Sequence, residues 1–572
     1  VIESREPVAV ENDLECRVRD GTMLRADAYR PATDGPHPVL LCRTPYDKAH
    51  PRYVRLATEL ARRGYIAVVQ DIRGRNASDG DWRWHMSVEG GKSEERDGYD
   101  SCEWAARLPG ADGQVGTFGN SYPSWLIWRM AAAKPPSLKA IFTSGFAVRT
   151  LDCTFGIFET GVRLRWQHHM AVSDRRRAGD DDYPRTVAEA DHLWDRVFRG
   201  KHLWTLPLDD VPDHLFGPSA AMQRRYWEEI AVEFWALDRL HHMVEIPTCT
   251  LTGWWDRLLG AAGHLTGMRA NGPAATRDAH RLIIGPWVHD VEDPAGWAGP
   301  RDYGPEAQLR FVDILTRWYD HHLKGIDTGV DRDAPARLFV LNENRWRSAD
   351  EWPPPGAVPS AFHLHSGGRA NTPSGDGWLD PAPPGEEPPD RFTYDPADPV
   401  LSLIGPDGQA ACCEQEPLAS RRDILVYQTR PLERDLVVLG EVSCRLWFAS
   451  DCPDTDIVAR LIEVGTDGRA INLCAGILRA RYRDGFNRPA PLEPGRAYEL
   501  EIRMMSAGIR FKAGSRIRLD VTSSDFPAFD RNHNTGAAFH TDRTLRVARQ
   551  VLFHDAARPS RLILSVMADA GG

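Results

Sequence analysis

At 572 residues the chain is too long for one hydrophobic core, so two or three domains are expected. Hydrophobic residues at 42% and charged residues at 26% are ordinary for a globular protein, and a formal net charge of −11 excludes a broad phosphate-binding surface, though not a local basic pocket. No apolar run of 18 residues is present to span a bilayer, and Val1 to Glu15 lacks a basic stretch followed by an apolar one, so a cytoplasmic protein without nucleic-acid or membrane partners is expected.

From about Pro38 short apolar runs alternate with helical spacing. His37 to Arg43 reads as a strand, Tyr53 to Arg63 as a helix, and Tyr65 to Asp71 as a second strand whose unbroken apolar run suits a sheet covered on both faces. Gly98 to Leu108 follows as a helix, Gly113 to Gly119 as a short strand and Lys139 to Ser144 as another. Repeated strand–helix units predict an α/β fold over residues 1–145. Between 146 and 245 the chain turns rich in Arg, His, Trp and Asp, with a long helical stretch from Ala220 to Leu240 and no buried strand, which predicts a helical cap. Sheet-like runs return at Thr248 to Gly253 and at His280 to Gly285, and a helix from Ala307 to Leu323 closes the α/β core at about residue 350. From 351 to 572 the Pro-rich stretches Pro353–Gly356 and Pro381–Pro389 separate alternating segments such as Ser443–Ala449, Ile457–Val464 and Arg516–Thr522, the pattern of a β-sandwich.

The chemistry is carried by Val115-Gly-Thr-Phe-Gly-Asn-Ser-Tyr-Pro-Ser. A Ser between a strand and a helix sits on a sharp turn that exposes its hydroxyl at the carboxyl edge of the sheet, which makes Ser121 a candidate nucleophile. The N–H of Tyr122, at the helix start, can face a developing oxyanion. An acid and a His must follow in that order. Asp256 stands just past the strand ending in Gly253, and His289 just past the strand ending in Gly285. His289 would take the Ser121 proton and return it to the leaving group, while Asp256 would fix the His tautomer. Singly, the Asp reads as a solvated loop residue and the His as a side chain satisfied by a carbonyl; three residues in order and context outweigh that reading.

Several blocks together resemble the cocaine esterase/X-Pro dipeptidyl-peptidase family of serine hydrolases, which also holds α-amino-acid ester hydrolases and cephalosporin acylases. They are Arg43-Thr-Pro-Tyr46, Gln70 to Arg75, Asp97 to Asp100, Gly119 to Tyr122, Gly253 to Asp256, Gly285 to His289 and Arg317 to Gly325, then Tyr394 to Val400, Asp454 to Asp456 and Gly476 to Arg483. The resemblance covers nearly the whole chain except the cap. It implies an α/β-hydrolase fold, a C-terminal jelly-roll-like domain that helps wall the pocket, and a phenolic donor from Tyr46 to the oxyanion beside the Tyr122 N–H. One departure is Pro123, where the family usually has Gly; a slightly reshaped elbow is expected, since Pro is tolerated in a first helical turn. Leu108-Pro-Gly110 also lacks the Trp common before the family's nucleophile strand.

The expected function is hydrolysis of an ester or amide through an acyl-Ser121 intermediate. Nineteen Trp, among them Trp166, Trp194 and Trp204 in the cap, suggest a small aromatic or bulky apolar substrate. Trp166, Trp255, Leu258 and Leu259 are the candidate pocket residues. Acyl transfer from the same intermediate is the enzymatic rival, and a degenerate ligand-binding protein the non-enzymatic one. No metal or cofactor is expected: the doublets His168–His169, His241–His242 and His321–His322 lack the i, i+4 spacing of helical metal pairs, and Gly74 and Gly80 form no phosphate-binding fingerprint. Arg175–Arg177 with the acidic run at 180–182 reads as a solvated loop. The ten scattered Cys read as reduced core residues. The sequence leaves a homo-oligomer open.

Overall fold

The structure, a computed structural model, describes residues 7–180, 182–291, 296–403 and 412–568. The first strands are β1 (Ala9–Arg17), β2 (Met23–Arg30), β3 (His37–Thr44), β4 (Ile66–Asp71) and β5 (Ala111–Thr117), paired in the order β1-β2-β4-β3-β5. The next are β6 (Ile141–Ser144), β7 (Thr248–Gly253), β8 (Arg281–Gly285), β9 (Ala336–Val340) and β10 (Arg345–Ala349), in the order β6-β7-β8-β9-β10. Parallel bridges Val115–Leu138 and Asn120–Ser144 join the two sets into one layer. From β4 to β9 neighbouring strands run parallel.

The apolar runs explain this layer. Val39 to Cys42, Ile66 to Val69 and Leu282 to Ile284 are buried on both faces, as a sheet between helices requires. Helix α1 (Pro51–Arg62) turns Tyr53, Ala57, Leu60 and Ala61 inward, one stripe at helical spacing, and starts on Pro51, whose missing N–H has no partner to lose. Helix α2 (Val88–Ala105) begins well before the predicted Gly98, because the polar run from Lys92 to Asp97 hides its apolar period; Ser87 Oγ caps it by accepting from the Gly90 N–H at 3.1 Å. Helix α3 (Tyr122–Ala132) is buried along nearly its whole length.

The cap segment carries α4 (Thr160–Ala178) and α5 (Ala220–Glu228). The predicted helix to Leu240 is therefore cut short: α5 ends at Glu228, and the chain re-enters a 3₁₀ turn at Leu237–Met243 after Ala236 takes a positive φ of 44°. Trp227 and Trp235, both buried, mimic helical spacing across that break. Arg175–Arg177 close α4 instead of lying in a loop, and Arg175 pairs with Asp180.

Helix α6 (Gly263–Asn271) and helix α7 (Phe311–His322) complete the α/β part. From Ala357–His365 to Arg561–Met567 the strands form one hydrogen-bonded sheet. Its longest strand, Leu436–Ser450, pairs with Tyr498–Phe511, Ala548–Phe553 and Arg561–Met567. Alternation is plain at Asp390–Tyr394, where every second residue is buried. The inward residues, among them Leu446, Ile502 and Leu519, share one core with Trp254, Trp255, Leu282 and Ile284 of the α/β part. The ten Cys are free thiols, all but Cys413 buried. No helix among the described residues is long and apolar enough to cross a membrane.

Tyr319 on α7 clamps the strand that leads to Ser121. Its hydroxyl donates to Thr117 O at 2.6 Å and accepts from the Thr117 N–H at 2.7 Å. Gly116 makes this approach feasible, since a Cβ there would lie 2.3 Å from the Tyr319 ring. Tyr319→Phe strands two buried backbone groups, so a loss of about 1–3 kcal/mol is expected in equilibrium unfolding. An unchanged denaturation midpoint would contradict the clamp.

Candidate active site

Ser121 sits between β5 and α3 with φ 67° and ψ −126°, a conformation costly for any residue with a side chain. The turn is held from below. The Ser121 N–H donates to Ser144 O at 2.9 Å, and the Ser124 N–H to Ser121 O at 2.8 Å. Ser124 Oγ bonds Gly119 O at 2.8 Å and Ser144 O at 2.7 Å, and accepts from the Ser144 N–H at 2.8 Å. Pro123 lies in the first turn of α3 with its ring on Gly119; a Cβ at Gly119 would come within 2.4 Å of Pro123 Cβ. The helix thus starts at Tyr122 despite the Pro, and the Tyr122 N–H is a first-turn donor with no intrahelical acceptor.

Asp256 follows β7 and His289 follows β8. His289 Nδ1 and Asp256 Oδ1 are 2.8 Å apart, both residues buried. The carboxylate also accepts from Thr252 Oγ1 at 3.0 Å and from the Leu258 N–H at 2.9 Å, so its orientation is set by three partners. The two loops are zipped together, with the Trp254 N–H on Gly285 O at 2.9 Å and the Trp255 N–H on Trp287 O at 3.1 Å. Asn120, beside the Ser, donates from Nδ2 to His289 O at 3.1 Å. Gly145 permits this crowding, because a Cβ there would lie 2.4 Å from Asn120 Oδ1 and 3.1 Å from Asp256 Oδ2. With Nδ1 engaged by the carboxylate, Nε2 is the nitrogen left for a reacting proton.

Tyr46 is placed by its own loop. Its N–H donates to Thr44 Oγ1 at 3.0 Å, and the Lys48 N–H to Asp71 Oδ1 at 2.8 Å; burial pushes the Asp71 carboxyl up to about 7. Trp166, from α4, donates its Nε1–H to the Tyr46 hydroxyl at 3.1 Å. Indole N–H cannot accept, so the Tyr46 oxygen is the acceptor and its proton is available to another group. Beneath, His85 packs on Tyr122 at 4.4 Å and stacks with Trp235 at 5.7 Å; burial lowers its pKa well below the usual value and keeps it neutral.

Ser121, Tyr46, Asn120, His289 and Trp166 line one cavity of about 690 Å³. Of the candidate pocket residues, Trp166 alone is on it. Trp255, Leu258 and Leu259 line cavities behind Asp256 instead: the Trp255 ring turns toward the sheet-rich domain, with Nε1 on Asn472 O at 3.4 Å, and Leu258 packs into the α/β core. Trp194 is a core residue, and exposed Trp204 packs on Phe526, so neither Trp belongs to this cavity. The His doublets split: His168 bonds Ala190 O, His169 pairs with Asp191, and His241 bonds His264. Arg165, His169, Asp191 and Arg257 also line the cavity, polar side chains that the residue pattern did not single out.

The fold and this constellation define a serine hydrolase of the α/β-hydrolase type. Residues 20–290 match the X-Pro dipeptidyl-peptidase (S15 family), and residues 328–563 match the X-Pro dipeptidyl-peptidase C-terminal non-catalytic domain. The chain is 32% identical to the cocaine esterase of Rhodococcus sp. (strain MB1 Bresler), over 98% of this chain and 99% of that one. Among solved structures, an aminopeptidase from a Thaumarchaeota archaeon superposes with a TM-score of 0.83 at 22% identity, covering 99% of this chain and 98% of that one. An α-amino acid ester hydrolase superposes with a TM-score of 0.79 at 21% identity and the same coverage. The chain belongs to the cocaine esterase/X-Pro dipeptidyl-peptidase family of serine hydrolases, whose members act on ester or amide bonds.

Proposed function

We propose that the protein hydrolyses a small ester or amide through an acyl-Ser121 intermediate. The observation that carries the proposal is the 2.8 Å contact of His289 Nδ1 with Asp256, in a cavity that His289 shares with Ser121. No Ser121–His289 hydrogen bond forms among the described residues, and such contacts commonly tighten only with substrate in place. Ser121 Oγ attacks the carbonyl carbon as its proton passes to His289 Nε2. The tetrahedral oxyanion collapses, the bond to the leaving alcohol or amine breaks, and that group departs with the His289 proton. Water then gives a proton to His289 and its oxygen to the acyl carbon, which releases the acid and restores Ser121.

The oxyanion accepts hydrogen bonds from the Tyr46 O–H and the Tyr122 N–H. The proposal for Tyr46 rests on Trp166, which occupies the hydroxyl as donor and leaves its proton unclaimed. Tyr46, Trp166, Val162 and Met170 give the cavity an apolar side that suits an aromatic or bulky acyl or leaving group.

Fluorophosphonate labelling with a panel of 4-nitrophenyl esters and amino-acid amides tests the reading. Ser121→Ala is expected to fold, as read by circular dichroism, and to lose both labelling and turnover; full activity in that variant would end the proposal. Asp256→Asn removes the control of the imidazole tautomer, and turnover should fall by roughly 10³–10⁴-fold. Were the loss under tenfold, another acid would hold His289. Tyr46→Phe deletes one donor and almost no volume, with an expected fall of roughly 10²–10³ in turnover and little change in the Michaelis constant. A raised Michaelis constant at normal turnover would make Tyr46 a binding residue instead.

A further inference from the structure

One cation on the wall of the Ser121 cavity lacks a counter-charge among the described residues. The other arginines there are occupied. Arg75 pairs with Asp174 at 2.6 Å and donates to Pro45 O and Met170 O, Arg165 pairs with Asp191 at 2.6 Å, Arg176 faces Asp47 at 3.6 Å, and Arg52 is engaged, lying over the Tyr53 ring at 5.2 Å. Arg257, directly after Asp256, differs. Its Nε and Nη1 are buried and have no hydrogen-bond partner, and it forms no ion pair among the described residues. The nearby carboxylates are committed elsewhere. Asp256 is bound by His289, Thr252 and Leu258, and the buried Glu159 by Arg163 at 2.7 Å. Asp290, also on the wall, is exposed to solvent.

Buried guanidinium N–H groups without acceptors are costly, and a cation without a counter-charge on a cavity wall favours an anionic group in that cavity. We propose that Arg257 is the specificity residue of this site and that the substrate is an ester or amide bearing a carboxylate. A carboxylate matches the one positive charge; a phosphate dianion would leave a negative charge unmatched by a second free cation among the described residues of this wall. The inference deepens the proposed function and rests on it: an apolar body lies along Tyr46 and Trp166, while a charged end reaches Arg257.

The test compares matched pairs of substrates. On the acyl side, mono-4-nitrophenyl adipate is set against its neutral terminal amide; on the leaving-group side, the butyrate ester of 4-hydroxybenzoate is set against that of 4-hydroxybenzamide. In one pair the wild-type protein is expected to favour the carboxylate by roughly 10–100-fold in kcat/KM, the range for a hydrogen-bonded charge. Arg257→Gln should bring that ratio near one, and Arg257→Lys, which keeps the charge without the fork, should retain part of it. Absence of preference in both pairs, or a ratio that survives in Arg257→Gln, overturns the inference. Protection of wild-type Ser121 from fluorophosphonate by adipate but not adipamide decides the matter if the Gln variant fails to fold. If Ser121 takes no label and no ester turns over, the hydrolase reading itself has failed. Tryptophan-fluorescence titration of the wild type with adipate then judges the carboxylate site separately, and no response to adipate overturns it.

Discussion

The site depends on one residue held where its backbone would not go unaided. A positive φ with a full side chain costs about 1–3 kcal/mol, and that conformation lifts the Ser121 hydroxyl clear of α3. The surroundings offset the cost. The bridge between Asn120 and Ser144 closes the layer at the elbow, Ser124 ties three backbone groups with one hydroxyl, and Gly119 leaves room for the Pro123 ring. Each fixture is a small polar group or a missing Cβ. The strain is therefore stored by close approach, not by bulk packing.

The same economy shapes the floor of the Ser121 site. Neutral His85 and the rings of Tyr122, Trp166 and Trp235 form a buried aromatic floor of low dielectric, in which a fixed O–H or N–H dipole acts more strongly than it would in water. The cap contributes directly here, because the Trp166 donor on Tyr46 comes from α4. Cap and core thus share the hydrogen bond that orients the Tyr46 hydroxyl.

How much of this the residue pattern discloses varies with the kind of fact. Ser121, Asp256 and His289 are legible because each stands a few residues past a short strand-like segment, Gly113 to Gly119, Thr248 to Gly253 and His280 to Gly285, and these become parallel strands of one layer whose ends share one edge. The sheet β3 to β8 and the outline of α7 follow from the same signal. The hairpin β1–β2 escapes it: β1 is mostly exposed and reads Ala-Val-Glu-Asn-Asp-Leu-Glu-Cys-Arg, with no steady alternation. Pocket membership escapes it for another reason. Trp255, Leu258 and Leu259 neighbour Asp256 in the chain, but successive loop side chains diverge, and only Arg257 of that stretch turns to the Ser121 cavity. Arg257 could have been noticed as a charge beside the acid, yet its lack of a partner is visible only when the other carboxylates have been placed. The end of α5 is a third case, where Trp227 and Trp235 imitate a helical stripe across a broken backbone.

The core shared by the α/β part and the sheet-rich domain has a further consequence. Trp254 lies so close to Gly508 that a Cβ there would be 2.3 Å from its ring, Leu341 exchanges backbone bonds with that strand, and Trp255 reaches Asn472 O. The loop that presents Asp256 is therefore wedged between two folding units and owes its shape to both. A lesion deep in the sheet-rich domain, far from any substrate, would tilt the carboxylate before it melts a strand. In a heated or mutated population, catalytic failure would then run ahead of unfolding, and the non-catalytic half of the molecule would act as its most sensitive fuse.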